Sequence, residues 1–149
     1  MDLNFRKEYK DFTNEVRDFC KKYSGIHFSD STKVPLSGSF KSGEIKMKRS
    51  DWQKILIEKG YFARSIPTEY GGFGGESDII KTRIIAEEFA KAKIPPPMGG
   101  QGIDMLVPTL LELGTEEQKQ KYVKSTLLGE IIWCHCLLYT SDAADETVR

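Results

Sequence analysis

Three short stretches of this chain carry residue types and spacings that invite chemistry. Cys134-His135-Cys136 offers sulfur and imidazole, the ligand types of zinc. A zinc site needs about four ligands, and no second cluster is present. Successive residues on a strand also point to opposite faces. No metal site is therefore assigned. Glu87 and Glu88 are neighbouring carboxylates, but adjacent helical positions do not face each other, so they cannot share one acid/base site. They read as a solvated face, or as a carboxylate buried against a partner. Gly71, Gly72, Gly74 and Gly75 precede a helix, a place where backbone N–H groups can cradle phosphate. A dinucleotide or Walker fingerprint needs a strand before the glycines or a Gly-Lys-Ser/Thr end, and both are missing. The run reads as a turn that threads one helix past another. His27 reads as a surface or packing residue rather than a catalytic one.

The balance of charge excludes several classes. Lys plus Arg is 22 and Asp plus Glu is 22, so the 149-residue chain has no clustered basic footprint for nucleic acid. No apolar run approaches the roughly 20 residues of a membrane span. The N-terminus alternates charge and lacks the apolar centre of a signal peptide, so the cytoplasm is the default location. Three cysteines, Cys20, Cys134 and Cys136, argue against a disulfide framework.

The elements that position these residues are helical. Phe5, Tyr9, Phe12, Val16 and Phe19 form one apolar stripe, predicting a helix over 4–23 that Gly25 stops. Residues 26–49 are rich in Ser, Gly and Lys and read as a long surface loop. Ser50 and Gln53 suggest a capping box for a second helix, with Trp52, Ile55 and Leu56 buried and Gly60 at its end. A third helix over about 77–93 presents Ile80, Ile84, Ile85 and Phe89. After Pro95-Pro96-Pro97, residues 98–113 read as an apolar helix that Pro108 kinks or restarts. Thr115 and Gln118 form the capping box of a last helix ending at Gly129. The expected fold is all-α, a bundle of about five helices over 1–130.

The C-terminal stretch departs from that logic. Ile131-Ile132-Trp133-Cys134 reads as the start of a strand, so 131–135 are expected to open a β domain. Residues 136–149 have no helical face and no strand alternation. Cys136 to Glu146 resembles a sequencing-library transposon adapter translated in one frame, which makes 136–149 a non-native tail and the chain the front of a longer protein.

Read in order, several of these stretches resemble the N-terminal helical domain of the acyl-CoA dehydrogenase family. Trp52-Gln-Lys-Ile-Leu56 followed by Gly60 is similar to its short second helix. Ile66-Pro-Thr-Glu-Tyr-Gly-Gly-Phe-Gly-Gly75 is similar to its Pro-x-Glu-x-Gly-Gly-x-Gly loop, and Glu87-Glu88-Phe89 to its acidic third helix. Pro108 and Gly114-Thr-Glu-Glu-Gln-Lys119 resemble its kinked helix and the start of the next, and Gly129-Glu130 leads toward its first strand. The resemblance covers about residues 3–135. It implies a flavoenzyme that oxidises an acyl-CoA thioester to a 2-enoyl-CoA using FAD. It also implies an electron-transfer flavoprotein as electron acceptor and a homo-oligomer.

The same resemblance implies that Met98, Gly102, Met105 and Leu106 contact the acyl substrate, and that His135 touches the flavin. Leu137 to Asp142 stand where the family has a Ser/Thr-Glu-Pro-Gly-x-Gly-Ser segment. No catalytic residue is assigned, since the base lies further on in most members. The 149-residue chain alone is expected to hold FAD weakly, to be inactive and to aggregate readily. Alternatives are an acyl-CoA oxidase or nitroalkane oxidase on the same scaffold, and a non-catalytic helical binding module.

Overall fold

The computed structural model describes residues 7–28 and 45–134. Phe5 and the 136–149 tail lie outside them. Five α-helices dominate the described residues: α1 (Lys7–Lys22), α2 (Arg49–Glu58), α3 (Ile79–Ala92), α4 (Val107–Leu113) and α5 (Glu116–Leu127). The all-α expectation holds. Two short strands, β1 (Ile26–Phe28) and β2 (Ile45–Met47), pair in parallel with Ile26 opposite Ile45. This corrects the reading of 26–49 as loop throughout. Ile26 is buried in the core and β2 leads into α2, so three residues at each end of that stretch form ladder.

The cores form where the apolar stripes meet. Val16, Phe19 and Cys20 of α1 close over Trp52 and Leu56 of α2 and Ile85 and Phe89 of α3. Phe19 is the hub of this cluster, stacked on Phe89 (6.0 Å between ring centroids) and edge-on to Tyr61 (4.9 Å). Such ring pairs add to plain area burial. Ile80, expected on the apolar face of α3, is 41% exposed, because α3 turns Ile85 and Phe89 inward instead. A second cluster joins Ile57, Tyr70, Val107, Val123, Leu127 and Leu128. Leu56 and Ile57 are consecutive, so α2 serves both clusters.

The expected capping box holds at α5 and fails at α2, and α3 has an Asp78 cap. Asp78 accepts from the N–H groups of Ile80 and Lys81 at the start of α3, and these bonds hold its carboxyl below the usual range. Thr115 and Gln118 close the capping box of α5. The expected Ser50/Gln53 box does not form. α2 begins two residues earlier, with Lys48 as a cap that makes no side-chain bond, and Gln53 is buried on the inner side of the helix.

The glycine-rich loop is a compact turn. Gly71 has φ +85°, in the left-handed region where Gly is at ease. A Cβ on Gly72 would lie 2.2 Å from the Ile66 carbonyl oxygen, so no larger residue fits there. Next to it, Tyr70 Oη donates to Glu116 Oε2, which ties the loop to α5 and pushes the Tyr70 hydroxyl up to about 12.

Candidate functional site

The segment that carries the candidate substrate contacts is not one long helix. Residues 94–99 have no regular structure, 102–106 form a single wide turn closed by the Val107 N–H on the Gly102 carbonyl, and α4 follows. An i→i+5 turn of this kind is a π-bulge. The helical spacing is disturbed just before Pro108 and α4 restarts there, in keeping with the kink-or-restart reading. Pro108 sits in the first turn of α4, where a missing N–H goes unnoticed.

Two adjacent residues of α2 hold the irregular part. Trp52 Nε1 donates to the Pro95 carbonyl at 3.1 Å. Gln53 is fully buried; its Nε2 donates to the Leu127 carbonyl and its Oε1 accepts from the Met98 N–H, each at 3.0 Å. One amide thus links three elements, with both its polar ends paired. Sequence reasoning took Gln53 for a cap and missed this role. Its position beside buried Trp52, on the helix face that points inward, was the available signal.

The four candidate residues divide into two groups. Met105 is 60% exposed and Leu106 half-buried; both line an open apolar hollow of about 250 Å³ with Thr109, Trp133 and Cys134. Met98 and Gly102 line a smaller hollow of about 80 Å³ beside Thr126 and Gly129. Met98 packs its thioether where a Cβ on Gly129 would stand, 2.7 Å from Sδ. His135 lies outside the described residues.

Trp133, read from the sequence as a strand residue, is the centre of this region. Residues 131–134 run without a ladder partner among the described residues. The Trp133 indole lies over Gly102, where a Cβ would meet its Cδ1 at 2.5 Å. Its Nε1 donates to Thr126 Oγ1 at 2.9 Å, Thr126 Oγ1 donates to the Tyr122 carbonyl at 2.7 Å, and the Tyr122 ring meets the indole edge-on at 5.6 Å. The region is apolar with few polar groups, as binding hollows for small molecules commonly are. No buried side-chain polar atom among the described residues lacks a partner. No step through a flavin is derived from them.

The carboxylates play structural roles. Glu88 is buried between α1 and α3 and accepts from Arg17 Nε at 2.7 Å and Lys91 Nζ at 2.8 Å. These bonds, Arg17 first, hold its carboxyl below the usual carboxylate range. A carboxylate so neutralised is a poor base. Glu87 is exposed and pairs with Arg83. Among the described residues, no group of three or more His, Cys, Asp or Glu is placed to hold a metal ion. No helix among them is long and apolar enough to cross a membrane.

Residues 6–130 match the family model described as the N-terminal domain of acyl-CoA dehydrogenase. The chain belongs to the acyl-CoA dehydrogenase family. Within the family, acyl-CoA dehydrogenase IpdE1 of Mycolicibacterium smegmatis is 30% identical over 99 residues, which are 66% of this chain and 25% of that protein. The short-chain specific acyl-CoA dehydrogenase of Clostridium acetobutylicum is 29% identical, covering 99% of this chain and 37% of that protein. The mitochondrial long-chain specific enzyme of Mus musculus is 27% identical, covering 86% of this chain and 27% of its own length. The chain thus spans between a quarter and two fifths of these relatives. A chain of the ChsE4–ChsE5 complex from Mycobacterium tuberculosis superposes with a TM-score of 0.55 at 21% identity, covering 89% of this chain and 30% of its own, a likeness of fold.

Proposed function

We propose that this chain supplies the N-terminal helical domain of an FAD-dependent acyl-CoA dehydrogenase, whose whole removes two hydrogens across the α and β carbons of an acyl-CoA to give the 2-enoyl-CoA. The observation that carries the reading is the apolar hollow of Met105, Leu106 and Trp133 on a domain of this family. In that role Met105 and Leu106 contact the acyl chain, and Met98 and Gly102 form the layer behind. The flavin, when bound, supplies the hydride acceptor. His135 is the proposed flavin contact, and the base belongs to a part of the enzyme beyond this domain. Electrons pass to an electron-transfer flavoprotein, and the enzyme is a homo-oligomer in the cytoplasm. The 149-residue chain by itself neither retains FAD nor turns over.

The test is anaerobic mixing of the full-length flavoenzyme with saturated acyl-CoA thioesters. The expected outcome is bleaching of the flavin band by an acyl-CoA and none by CoA. Peroxide formed at the rate of turnover in air would point to an oxidase instead. No bleaching by any chain length would sink the dehydrogenase reading. A second assay applies to the chain itself: flavin that co-purifies with the 149-residue protein through gel filtration would overturn the claim that it holds none.

A further inference from the structure

We propose that Trp133 is a fixed partition that sets how far an acyl chain penetrates this domain, with Thr126 as its latch; this rests on the acyl-binding reading above. The larger hollow, about 250 Å³, and the smaller one, about 80 Å³, share two lining residues, Gln101 and Trp133. Gln101 is exposed and the structure gives its side chain no holding bond among the described residues. Trp133 is half-buried and held on three sides: by the hydrogen bond to Thr126 Oγ1, by the Tyr122 ring and by the bare backbone of Gly102. The Thr126 hydroxyl is itself fixed, since its proton goes to the Tyr122 carbonyl and its lone pair takes the indole N–H. Gly102 is required by the same device, because any Cβ there would displace the ring.

An acyl chain that enters between Met105 and Leu106 meets the indole and stops. Behind it lies space for about two or three water-sized groups, walled by Met98, Gly129 and Thr126. Removing the ring joins the two hollows and adds the volume of the indole itself. Longer chains then bury further methylenes, and two of them are enough for about a tenfold gain in affinity.

The experiment measures anaerobic binding of CoA, octanoyl-CoA and hexadecanoyl-CoA to the full-length flavoenzyme by calorimetry. It compares the unmodified enzyme with Trp133→Ala, Trp133→Phe and Thr126→Val, each checked for helical content by circular dichroism. Trp133→Ala is expected to raise the preference for hexadecanoyl- over octanoyl-CoA about tenfold. Thr126→Val, which keeps the ring but unlatches it, is expected to raise it by less, and Trp133→Phe to return it toward the unmodified ratio. An unchanged ratio in Trp133→Ala overturns the partition while leaving the acyl reading intact. If Trp133→Ala loses its helices, an unchanged ratio in Thr126→Val does the same. An unmodified enzyme that binds both thioesters no more tightly than CoA removes the acyl reading, and the partition with it.

Discussion

Phe19, Trp52, Tyr61 and Phe89 fill the space between α1, α2 and α3 with interlocked rings, whereas Val107, Val123, Leu127 and Leu128 fill the space beside α4 and α5 with branched aliphatics. The first cluster is interlocked: Phe19 touches rings on several sides, and Arg17–Glu88 and Lys81–Glu8 tie α1 to α3 across it. The second holds a single buried ring, Tyr70, and the segment beside it leaves Met105 and Leu113 60% and 78% exposed. The difference separates two jobs. The aromatic half is the scaffold, and the aliphatic half, with fewer rings and more glycine, is where a ligand can be admitted.

Five substitutions sharpen or break that contrast. Trp52→Ala removes a ring from the aromatic cluster and the donor that holds Pro95. It is expected to cost about 4–5 kcal/mol in urea unfolding. A much smaller loss would mean that the ring cluster is not the scaffold. Leu56→Ala and Leu127→Ala compare the clusters directly, since neither side chain is exposed to solvent at all. About 4 kcal/mol is expected for Leu56 and about 2–3 kcal/mol for Leu127, whose branched aliphatic neighbours can repack more readily than rings; equal losses would erase the distinction.

Gln53→Leu tests the strut between the halves. It leaves the Met98 N–H and the Leu127 carbonyl unpaired, for about 1–3 kcal/mol, and amide exchange at Met98 is expected to accelerate more than at Val16. The smallest effect is electrostatic. The Glu88 carboxyl is held below its ordinary 4.5 by Arg17 and Lys91. Its stabilisation is present above that value and is lost as pH falls through the lower, folded-state one. Glu88→Gln is therefore expected to lower the urea midpoint at pH 7 and to converge with the unmodified chain in acid. Parallel curves across the whole range would refute the ion-pair account.

Much of the helical framework was legible because it is written in local chemistry. The stripe from Tyr9 to Phe19, the Thr115–Gln118 box and the glycines after α2 and α5 each act within a turn or two of chain. The family was legible from the order of such stretches. What was hidden depends on partners far away in sequence. The β1–β2 pair joins residues 19 positions apart, Ile26 with Ile45, through ladders too short to show alternation. Gln53 satisfied the local rule for a cap residue, yet it is engaged by carbonyl and amide groups on other elements, at Leu127 and Met98. The four proposed substrate-contact positions came from family resemblance. The structure groups them about Trp133, a residue whose apolar run with Ile131 and Ile132 suggested a strand.

The wide turn over 102–106 also bears on how this domain can change length. A π-bulge holds one residue more than the α-helical turn it replaces. Deleting a single codon there would let the turn relax to regular spacing without opening the ladder of α4. The segments on either side would keep their facing, so the loss falls on the turn itself and changes which of its side chains, Met105 and Leu106 among them, meet the hollow. A one-residue gap at this place, in any set of related sequences, would mark members whose hollow has been re-cut by length rather than by side-chain exchange.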